Sequence, residues 1–206
     1  MPSDAHRIES LADLRRIIDE PNPVTRQKVF EALDDQMQAF VARAPFCLLA
    51  TADPDGRLEV SPKGDGPGFV LVEDARTLVL PDRKGNKLLF GLQNILANSQ
   101  VALIFLVPGT DETLRVSGRA ELYSDPALLA RLSARGQPAL LAIRVHVERC
   151  FFHCARAFLR ASLWNPASWG EPHKVSFGRQ LAPKLGGGDA LAAQIDAAID
   201  QGRGDL

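Results

Sequence analysis

The chain has 206 residues, of which 46% are hydrophobic and 24% are charged, and its formal net charge at pH 7 is -1. This composition is ordinary for a globular protein, and the near-neutral balance argues against a generic nucleic-acid binder. No apolar run approaches the ~20 residues that a membrane-spanning helix needs. The first ten residues lack the basic start and apolar core of a signal peptide. We therefore expect a cytoplasmic protein that binds neither nucleic acid nor membrane.

Residues 1–43 predict an N-terminal helical extension. The segment LADLRRIID has helical spacing of its apolar residues, EPNPVT interrupts the pattern, and RQKVFEALDDQMQAFVARA resumes it over residues 26–44. The second helix would place four apolar side chains on one stripe: Val29, Leu33, Met37 and Phe40.

From residue 44 onward, short apolar or alternating runs predict six or seven strands. PFCLLATA and RLEVSPKG are separated by the turn signal DPDG, and GFVLVE and TLVLP by DAR. VALIFLV is a continuous apolar run, typical of a strand buried on both faces, and ETLRVSGRAELY and ALLAIRVHVERCFF follow it. Asp125 and Pro126 predict the N-cap and first turn of a short helix. So few helices among so many strands favour a closed or nearly closed antiparallel barrel.

After Trp169 the pattern becomes irregular. KLGGG is typical of a hinge, and DALAAQIDAAIDQ predicts a short terminal helix. We therefore divide the chain into a helical extension (1–43), a barrel domain (44–164) and a C-terminal tail (165–206).

A cluster of cations lies where one strand ends and a helix is predicted to begin at Asn86 and Lys87. This segment, PDRKGNKLLF, also carries Arg83 and Lys84. Cations at a helix N-terminus are unfavourable by ~0.3–1 kcal/mol each, so their presence needs a reason. A bound phosphate would supply one, because free backbone N–H groups and cations together hold such an anion. A solvated basic loop is the alternative, and both interpretations stay open on these residues alone.

The cysteines raise the question of a metal site. Cys47 lies in an apolar run, where a buried free thiol is ordinary. Cys150, His153 and Cys154 are close in sequence, but zinc needs about four ligands, and His146 is only a weak fourth candidate. We favour a structural role for these residues and predict no metal.

Several motifs in order resemble the pyridoxamine-phosphate-oxidase-like, FMN-binding split-barrel proteins. They are SPKGD, LPDRKGNKLLFGLQNILANSQVALIFLVPG, DETLRVSGRAEL and FFHCARAFLRASLWNP, which together cover about residues 30–170. The resemblance implies a mainly β protein with flanking helices, built as a six-stranded antiparallel Greek-key split β-barrel. It also implies a homodimer with one FMN in each of two clefts between the subunits. Residues 44–164 would then be the FMN-binding domain.

The same resemblance assigns cofactor-binding residues. Arg83, Asn86 and Lys87 would hold the FMN phosphate. The chain most resembles a bacterial branch of probable FMN-dependent enzymes, which often has proline where this chain has Lys84, and Lys84 would add a contact or loosen the loop. The remaining assignments form two groups along the flavin. Ser61, Pro62, Lys63 and Gly64 would lie along the isoalloxazine edge, and Leu80, Pro81 and Asp82 would back the ring and the ribityl chain.

Three further residues have two interpretations each. Lys63 is either a surface lysine at a strand end or a cation that stabilises the reduced flavin, and the resemblance favours the second. Arg115 and Ser117 share one face of their strand. They either face solvent or line the intersubunit cleft and reach the partner's flavin.

The resemblance implies an oxidoreductase acting on an unidentified small-molecule substrate. No nucleophile–base constellation is visible, so we assign no catalytic residue; in a flavoenzyme the cofactor supplies the chemistry. The Arg-x-His pattern that helps pyridoxamine phosphate oxidases hold their substrate is not recognisable, which leaves the substrate open. The alternative is a non-catalytic split barrel that binds or stores a flavin, haem or deazaflavin.

Overall fold

The computed structural model describes residues 6–202. Its main element is an antiparallel sheet flanked by helices, with strands hydrogen-bonded in the order β2-β1-β5-β6-β7-β4-β3. The strands are β1 (Phe46–Ala52), β2 (Leu58–Gly64), β3 (Leu71–Asp74), β4 (Thr77–Asp82), β5 (Gln100–Leu106), β6 (Thr113–Tyr123) and β7 (Leu141–His153). The mainly β prediction is confirmed. The sheet has seven strands rather than six, and within the described residues β2 and β3 remain edges that do not pair with each other.

The helices are short compared with the sheet. They are α1 (Leu11–Arg15), α2 (Pro23–Arg26), α3 (Asp35–Arg43), α4 (Phe90–Ala97), α5 (Pro126–Arg131), α6 (Arg156–Ala161), α7 (Phe177–Leu181) and α8 (Asp189–Gly202). Among residues 6–202, no helix combines the length and the apolar character that crossing a membrane requires.

The sheet curls around one core. In the hydrogen-bonded order β2 and β4 are separated by four strands, which in a flat sheet would hold them about 24 Å apart at ~4.8 Å per strand. Yet Lys63 Nζ on β2 lies 2.5 Å from Asp82 Oδ1 on β4. One cluster of buried side chains also joins strands from across the sheet, and it includes Leu49, Leu80, Leu103, Val116 and Ile143. The curl therefore brings the two ends of the sheet together without pairing their backbones.

Strand β5 is buried on one face only. Val101, Leu103 and Phe105 point into the core and are at most 5% exposed. Between them, Ala102 is exposed and Ile104 is half-buried. The prediction that this strand is buried on both faces is therefore wrong within the single chain, because the outer face of the sheet stays open there.

The predicted helix over residues 26–44 begins only at α3. The Asp34 side chain accepts a hydrogen bond of 2.8 Å from the Met37 backbone N–H and so caps the helix. Upstream, Phe30 and Cys150 exchange two backbone hydrogen bonds of 2.9 and 2.8 Å. This β-bridge takes the backbone groups that a helix through Phe30 would need, so the strand partner outweighs the helical pattern.

Two other helix predictions are confirmed. Asp125 caps α5 by accepting a hydrogen bond of 2.8 Å from the Leu128 N–H, and Pro126 is its first residue. The predicted terminal helix is present as α8.

The chain forms two compact units that divide after Trp164. The second unit contains α7 and α8. Gly178 of α7 lies so close to α8 that a Cβ there would be 1.9 Å from the Ala192 carbonyl oxygen. Asp196 of α8 accepts hydrogen bonds from the Ser176 hydroxyl (2.5 Å) and from the Gly178 N–H (2.8 Å). Close backbone approach and side-chain capping thus hold this pair of helices together.

A β-bulge interrupts the pairing of β6 and β7. Ser117 pairs with Arg149 and Gly118 pairs with Val147, so Glu148 is an extra residue on β7. Glu148 and Arg149 are both exposed, whereas the residues that flank them are buried. The bulge thus shifts the alternation of the strand by one residue and directs Arg149 to the outer face.

Gly118 makes this bulge possible. A Cβ at position 118 would lie 1.9 Å from the His146 carbonyl oxygen. We predict that Gly118→Ala lowers the free energy of unfolding by about 1–3 kcal/mol or more, because backbone must move to relieve the overlap. Urea denaturation measures the change. The control is Gly66→Ala, where a Cβ meets nothing within 4 Å. Equal losses in the two variants would contradict the prediction.

Candidate functional site

A cavity of about 430 Å³ opens between β2, the end of β4 and the loop that leads into α4. Its volume falls in the range of small-molecule and cofactor pockets. We call it the loop cavity. The predicted site residues that line it are Ser61, Pro62, Lys63, Asp82, Arg83, Lys84, Asn86 and Lys87. The curl of the sheet is what brings the β2 residues and the β4 loop residues to one place.

Five predicted site residues lie outside the loop cavity. Gly64 ends β2 and is not part of the lining. Leu80 belongs to the core and Pro81 is buried beside it, because β4 is buried on both faces along this stretch. Arg115 and Ser117 line a second cavity on the outer face of the sheet.

The cavity also contains residues that were missed in the sequence. Glu59 lies on β2 and lines the cavity together with Ser61 and Lys63. The two-residue alternation of a strand was the signal that could have found it. The start of α4 contributes others, and these were missed because the helix was predicted to begin too early. They are Leu89, Phe90, Gly91 and Leu92.

Helix α4 begins at Phe90 rather than at Asn86 and Lys87. Lys87 and Leu89 have φ angles of 62° and 61°, in the left-handed region that interrupts a right-handed helix. The Asn86 side-chain oxygen accepts a hydrogen bond of 3.0 Å from the Leu88 N–H and holds this turn. Leu88 therefore precedes the helix and is 53% exposed. In a helix that begins at Asn86 and Lys87, the apolar spacing predicts that Leu88, Leu92, Ile95 and Leu96 line one side and pack on the barrel, and for Leu88 this is wrong.

The rest of the predicted packing face of α4 is only partly correct. Ile95 is buried and Leu92 packs against the core. Leu96 is 76% exposed. The Asn94 side-chain amide donates a hydrogen bond of 3.1 Å to Thr51 Oγ1 on β1, which fixes the helix against the sheet.

The N-terminus of α4 has no side-chain cap. Leu89 occupies the N-cap position, and the first turn contains no acidic residue. The first N–H groups of a helix have no partner within the helix and usually receive one from a side chain, water or a ligand. Phe90, Gly91 and Leu92 of this turn line the loop cavity. The helix start is therefore suited to bind an anion there.

Lys63 does not stand alone in the cavity. Its ammonium group is paired with Asp82 across the gap between β2 and β4, and the two side chains are 20% and 16% exposed. At this burial the attraction is less screened by solvent than at an exposed pair. Asp82 thus offsets much of the charge that Lys63 would present to a ligand.

Arg83 is held in a defined orientation. Its Nε donates to Asp65 Oδ2 at 3.1 Å, and its Nη2 donates to the Leu132 carbonyl oxygen at 2.7 Å. These contacts leave Nη1 as the group available to another acceptor. Lys87, by contrast, has no carboxylate within 4.0 Å among residues 6–202.

The charged side chains of the lining are mainly positive. Its carboxylates are Glu59 and Asp82. Its cations are Lys63, Arg83, Lys84 and Lys87. A cavity with this charge excess favours an anionic ligand over a neutral or cationic one.

The second cavity has a volume of about 380 Å³ and lies on the outer face of β1, β5, β6 and β7. We call it the outer cavity. Arg115, Ser117, Arg149 and Phe151 line it on one side. The apolar part of its lining includes Leu48, Ala50, Val60, Ala102 and Ile104. Val60 lines both cavities, so edge strand β2 is their common wall.

The cysteines lie away from the loop cavity. Cys47 is buried as predicted, and burial raises the pKa of its thiol to about 12. Burial likewise raises the pKa of the Cys150 thiol to about 11. Cys154 is exposed. In the part of the chain that the structure describes, no three His, Cys, Asp or Glu side chains are grouped as metal ligands would be.

We predict that Lys63→Met and Asp82→Asn each lower the free energy of unfolding by about 1–3 kcal/mol, because each leaves one charge partly buried without its partner. The double variant should lose less than the sum of the two, because it leaves neither charge behind. Denaturation of all four proteins gives the coupling energy.

The control for this cycle is the exposed pair of Arg119 and Glu148, whose charged atoms are 3.0 Å apart. Solvent screening should limit its coupling to ~1 kcal/mol or less. A coupling at Lys63 and Asp82 that is no larger than the control would contradict the prediction.

A comparison with protein families identifies the chain. The model described as pyridoxamine 5'-phosphate oxidase matches residues 33–154, which is more than half of the chain. The chain belongs to the pyridoxamine 5'-phosphate oxidase family. The match covers β1 to β7 and includes the linings of both cavities.

The individual proteins that the chain resembles have low sequence identity to it. The pyridoxine/pyridoxamine 5'-phosphate oxidase of a Nostoc species is 27% identical, over 89% of this chain and 88% of its own length. Among solved structures, HupZ from group A Streptococcus has 19% identity and a TM-score of 0.47, covering 58% of this chain and 93% of its own. General stress protein 26 from Bacillus anthracis has 14% identity and a TM-score of 0.44, covering 57% of this chain and 91% of its own.

Proposed function

We propose that the protein is an FMN-dependent oxidoreductase that acts on a small molecule. The observation that carries this proposal is the uncapped start of α4 in a cavity with an excess of cations, in a chain of the pyridoxamine 5'-phosphate oxidase family. A phosphate group needs N–H donors and positive charge together. The loop cavity offers both.

The FMN phosphate would bind at the start of α4. Lys87, which has no carboxylate partner in the described chain, would supply charge, and Asn86 would keep the loop in shape through its bond to the Leu88 N–H. Arg83 would add its remaining Nη1 donors, because Asp65 and Leu132 occupy the others. The phosphate site would thus depend mainly on Lys87 and on the backbone.

The flavin ring would lie against β2, where Ser61, Pro62 and Lys63 line the cavity. When bound, FMN supplies the redox chemistry, and the protein positions it and adjusts its reduction potential. Lys63 would change the flavin reduction potential less in the presence of Asp82 than it would alone, because the two charges largely cancel.

The barrel and the dimer complete the proposal. We infer that the curled sheet is a split barrel and that two copies associate through the outer face of β1 and β5. Leu48, Ala50 and Ile104 form an apolar surface there, and Ala102 is exposed. Apolar surface of this kind on a sheet face is typical of an association site. A two-fold dimer would use the same surface on both copies.

A cofactor carrier without turnover is the second candidate. The same cavity could hold a flavin or deazaflavin for storage, and a haem in place of FMN would also make the protein coloured. The absorbance spectrum of the purified protein separates these cofactors, and reversible bleaching by dithionite shows whether a bound flavin is redox-active.

The experiment that tests the function compares FMN with riboflavin, which lacks the phosphate. We predict that FMN binds at least tenfold more tightly, because a charge-assisted hydrogen bond contributes about 1.5–3 kcal/mol. Lys87→Gln should weaken FMN binding and leave riboflavin binding unchanged, as measured by fluorescence titration. The matched control is Arg43→Gln, an exposed cation at the end of α3. Equal affinity for FMN and riboflavin in the wild type would overturn the phosphate site.

The dimer has its own test. Ala102→Glu would place a charge in the middle of the proposed interface, where it could not keep its water. We expect the wild type to sediment as a dimer at micromolar concentration and this variant as a monomer. Ala127→Glu, at an exposed position in the first turn of α5, should remain dimeric. A monomeric wild type that still binds FMN would contradict a site between subunits.

A further inference from the structure

We propose that Asp65 is a positioning residue, which orients the Arg83 guanidinium so that its Nη1 group meets an anion in the loop cavity. The identification of this anion as the phosphate of FMN rests on the proposed function. The orientation itself rests on the contacts described below. Asp65 is the last residue of the SPKGD motif and does not belong to the lining of the cavity, so it acts through Arg83 and not on the ligand.

Asp65 is itself held in place directly after β2. Its backbone N–H donates a hydrogen bond of 3.1 Å to the Pro45 carbonyl oxygen, just before β1. Its Oδ1 accepts a hydrogen bond of 2.9 Å from the Gly66 N–H. The other carboxylate oxygen, Oδ2, accepts from Arg83 Nε at 3.1 Å. Because the Asp65 side chain is only 12% exposed and both of its oxygens are engaged, it is a fixed acceptor for Arg83.

Two contacts from different parts of the chain fix the plane of the Arg83 guanidinium. Asp65 binds Nε, and the Leu132 carbonyl oxygen at the C-terminal end of α5 binds Nη2. The guanidinium is planar, and Nε–H and Nη2 lie along one edge of it. The Nη1 group therefore projects from the opposite edge. Since Arg83 lines the loop cavity, this is the edge that it can offer to a ligand there.

This arrangement lowers the entropic cost of binding an anion. A long side chain with several rotatable bonds loses freedom when a ligand immobilises it. Asp65 and Leu132 already order Arg83 in the folded protein, so less of this cost arises when the anion binds. Arg83 thus differs from Lys87, whose ammonium group has no carboxylate partner in the described chain.

The charge of Asp65 acts in the opposite direction, because a carboxylate near an anion site repels the anion. Electrostatic interactions weaken with distance. An anion on Nη1 would be within hydrogen-bonding distance of the guanidinium, whereas the carboxylate lies beyond the opposite edge of the group. We therefore expect the orientation of Arg83 to outweigh the repulsion by Asp65. The two effects predict opposite changes in affinity when the carboxylate is removed.

Fluorescence titration of Asp65→Asn with FMN and riboflavin measures which effect dominates. The variant removes the charge and keeps the shape, but its one amide oxygen cannot accept from both Gly66 and Arg83. We expect FMN to bind about three- to tenfold more weakly than to the wild type and riboflavin to bind equally well. The control is Asp55→Asn, which makes the same charge change at an exposed carboxylate paired with Arg57 and should alter neither affinity.

Three results of these titrations would overturn the inference. Unchanged or tighter FMN binding by Asp65→Asn would mean that the charge of Asp65 matters more than the orientation. An equal loss for FMN and riboflavin would mean that Asp65 only maintains the fold. The third result uses Arg83→Gln as the starting protein, where Asp65→Asn should cause no further loss of FMN affinity. A loss that persists there would show that Asp65 does not act through Arg83.

A titration with inorganic phosphate separates this inference from the proposed function. In the wild type, phosphate should shift the NMR resonance of the Gly91 amide in the first turn of α4. Asp65→Asn should weaken this binding about three- to tenfold as well. This result in a protein that takes up no FMN would support the role of Asp65 while refuting the proposed function. Equal phosphate affinity in the two proteins, or no response in the wild type, would overturn the inference.

Discussion

The fold depends on bringing β2 and β4 together without backbone pairing, and the ion pair between Lys63 and Asp82 lies at the point where these strands meet. The strands at the two ends of the sheet must come close enough to enclose one core, yet they do not pair through their backbones. Side chains bridge the gap instead: Lys63 reaches Asp82, and Arg83 reaches Asp65. A fully paired barrel of this size would fill its interior with side chains. A sheet that curls without closing leaves an opening between its end strands, and the loop cavity lies at that opening.

The outer face of the sheet depends on a different local feature. One extra residue on β7, accommodated by Gly118, changes which side chains of the strand point outward. Without the bulge, Arg149 would follow Val147 into the core, where an unpaired guanidinium is costly. With it, Arg149 lies on the same face as Arg115. A single backbone irregularity thus determines the charge that β6 and β7 present in the lining of the outer cavity.

Much of the architecture could be predicted because the signals are local. Alternation and turn residues located each strand to within a few residues, and Asp125 with Pro126 located the start of α5. The errors arise from interactions between distant parts of the chain. The sequence around Phe30 contains no signal for its pairing with Cys150, because Cys150 lies on β7, the last strand along the chain.

The same distinction holds for the candidate site. The cation cluster was recognisable because Arg83, Lys84 and Lys87 are neighbours in sequence. Their partners were not, because Asp65 and Asp82 meet Arg83 and Lys63 only when the sheet curls. The left-handed conformation at Lys87 and Leu89 was also hidden, since neither residue type favours it. Sequence patterns therefore located the cavity better than they described the charges within it.

The position of Pro62 on β2 has a consequence for how copies of this chain can meet. Proline within a sheet is confined to edges and bulges because it lacks an N–H group, and at an edge it interrupts the row of donors that a new strand would need. The opposite edge, β3, spans only Leu71–Asp74, and its pairing with β4 is irregular between Val72 and Asp74. Neither edge is a good template for extending the sheet into a neighbouring molecule. Both edges therefore disfavour the edge-to-edge pairing of strands from different molecules that can lead from an open sheet to a fibre.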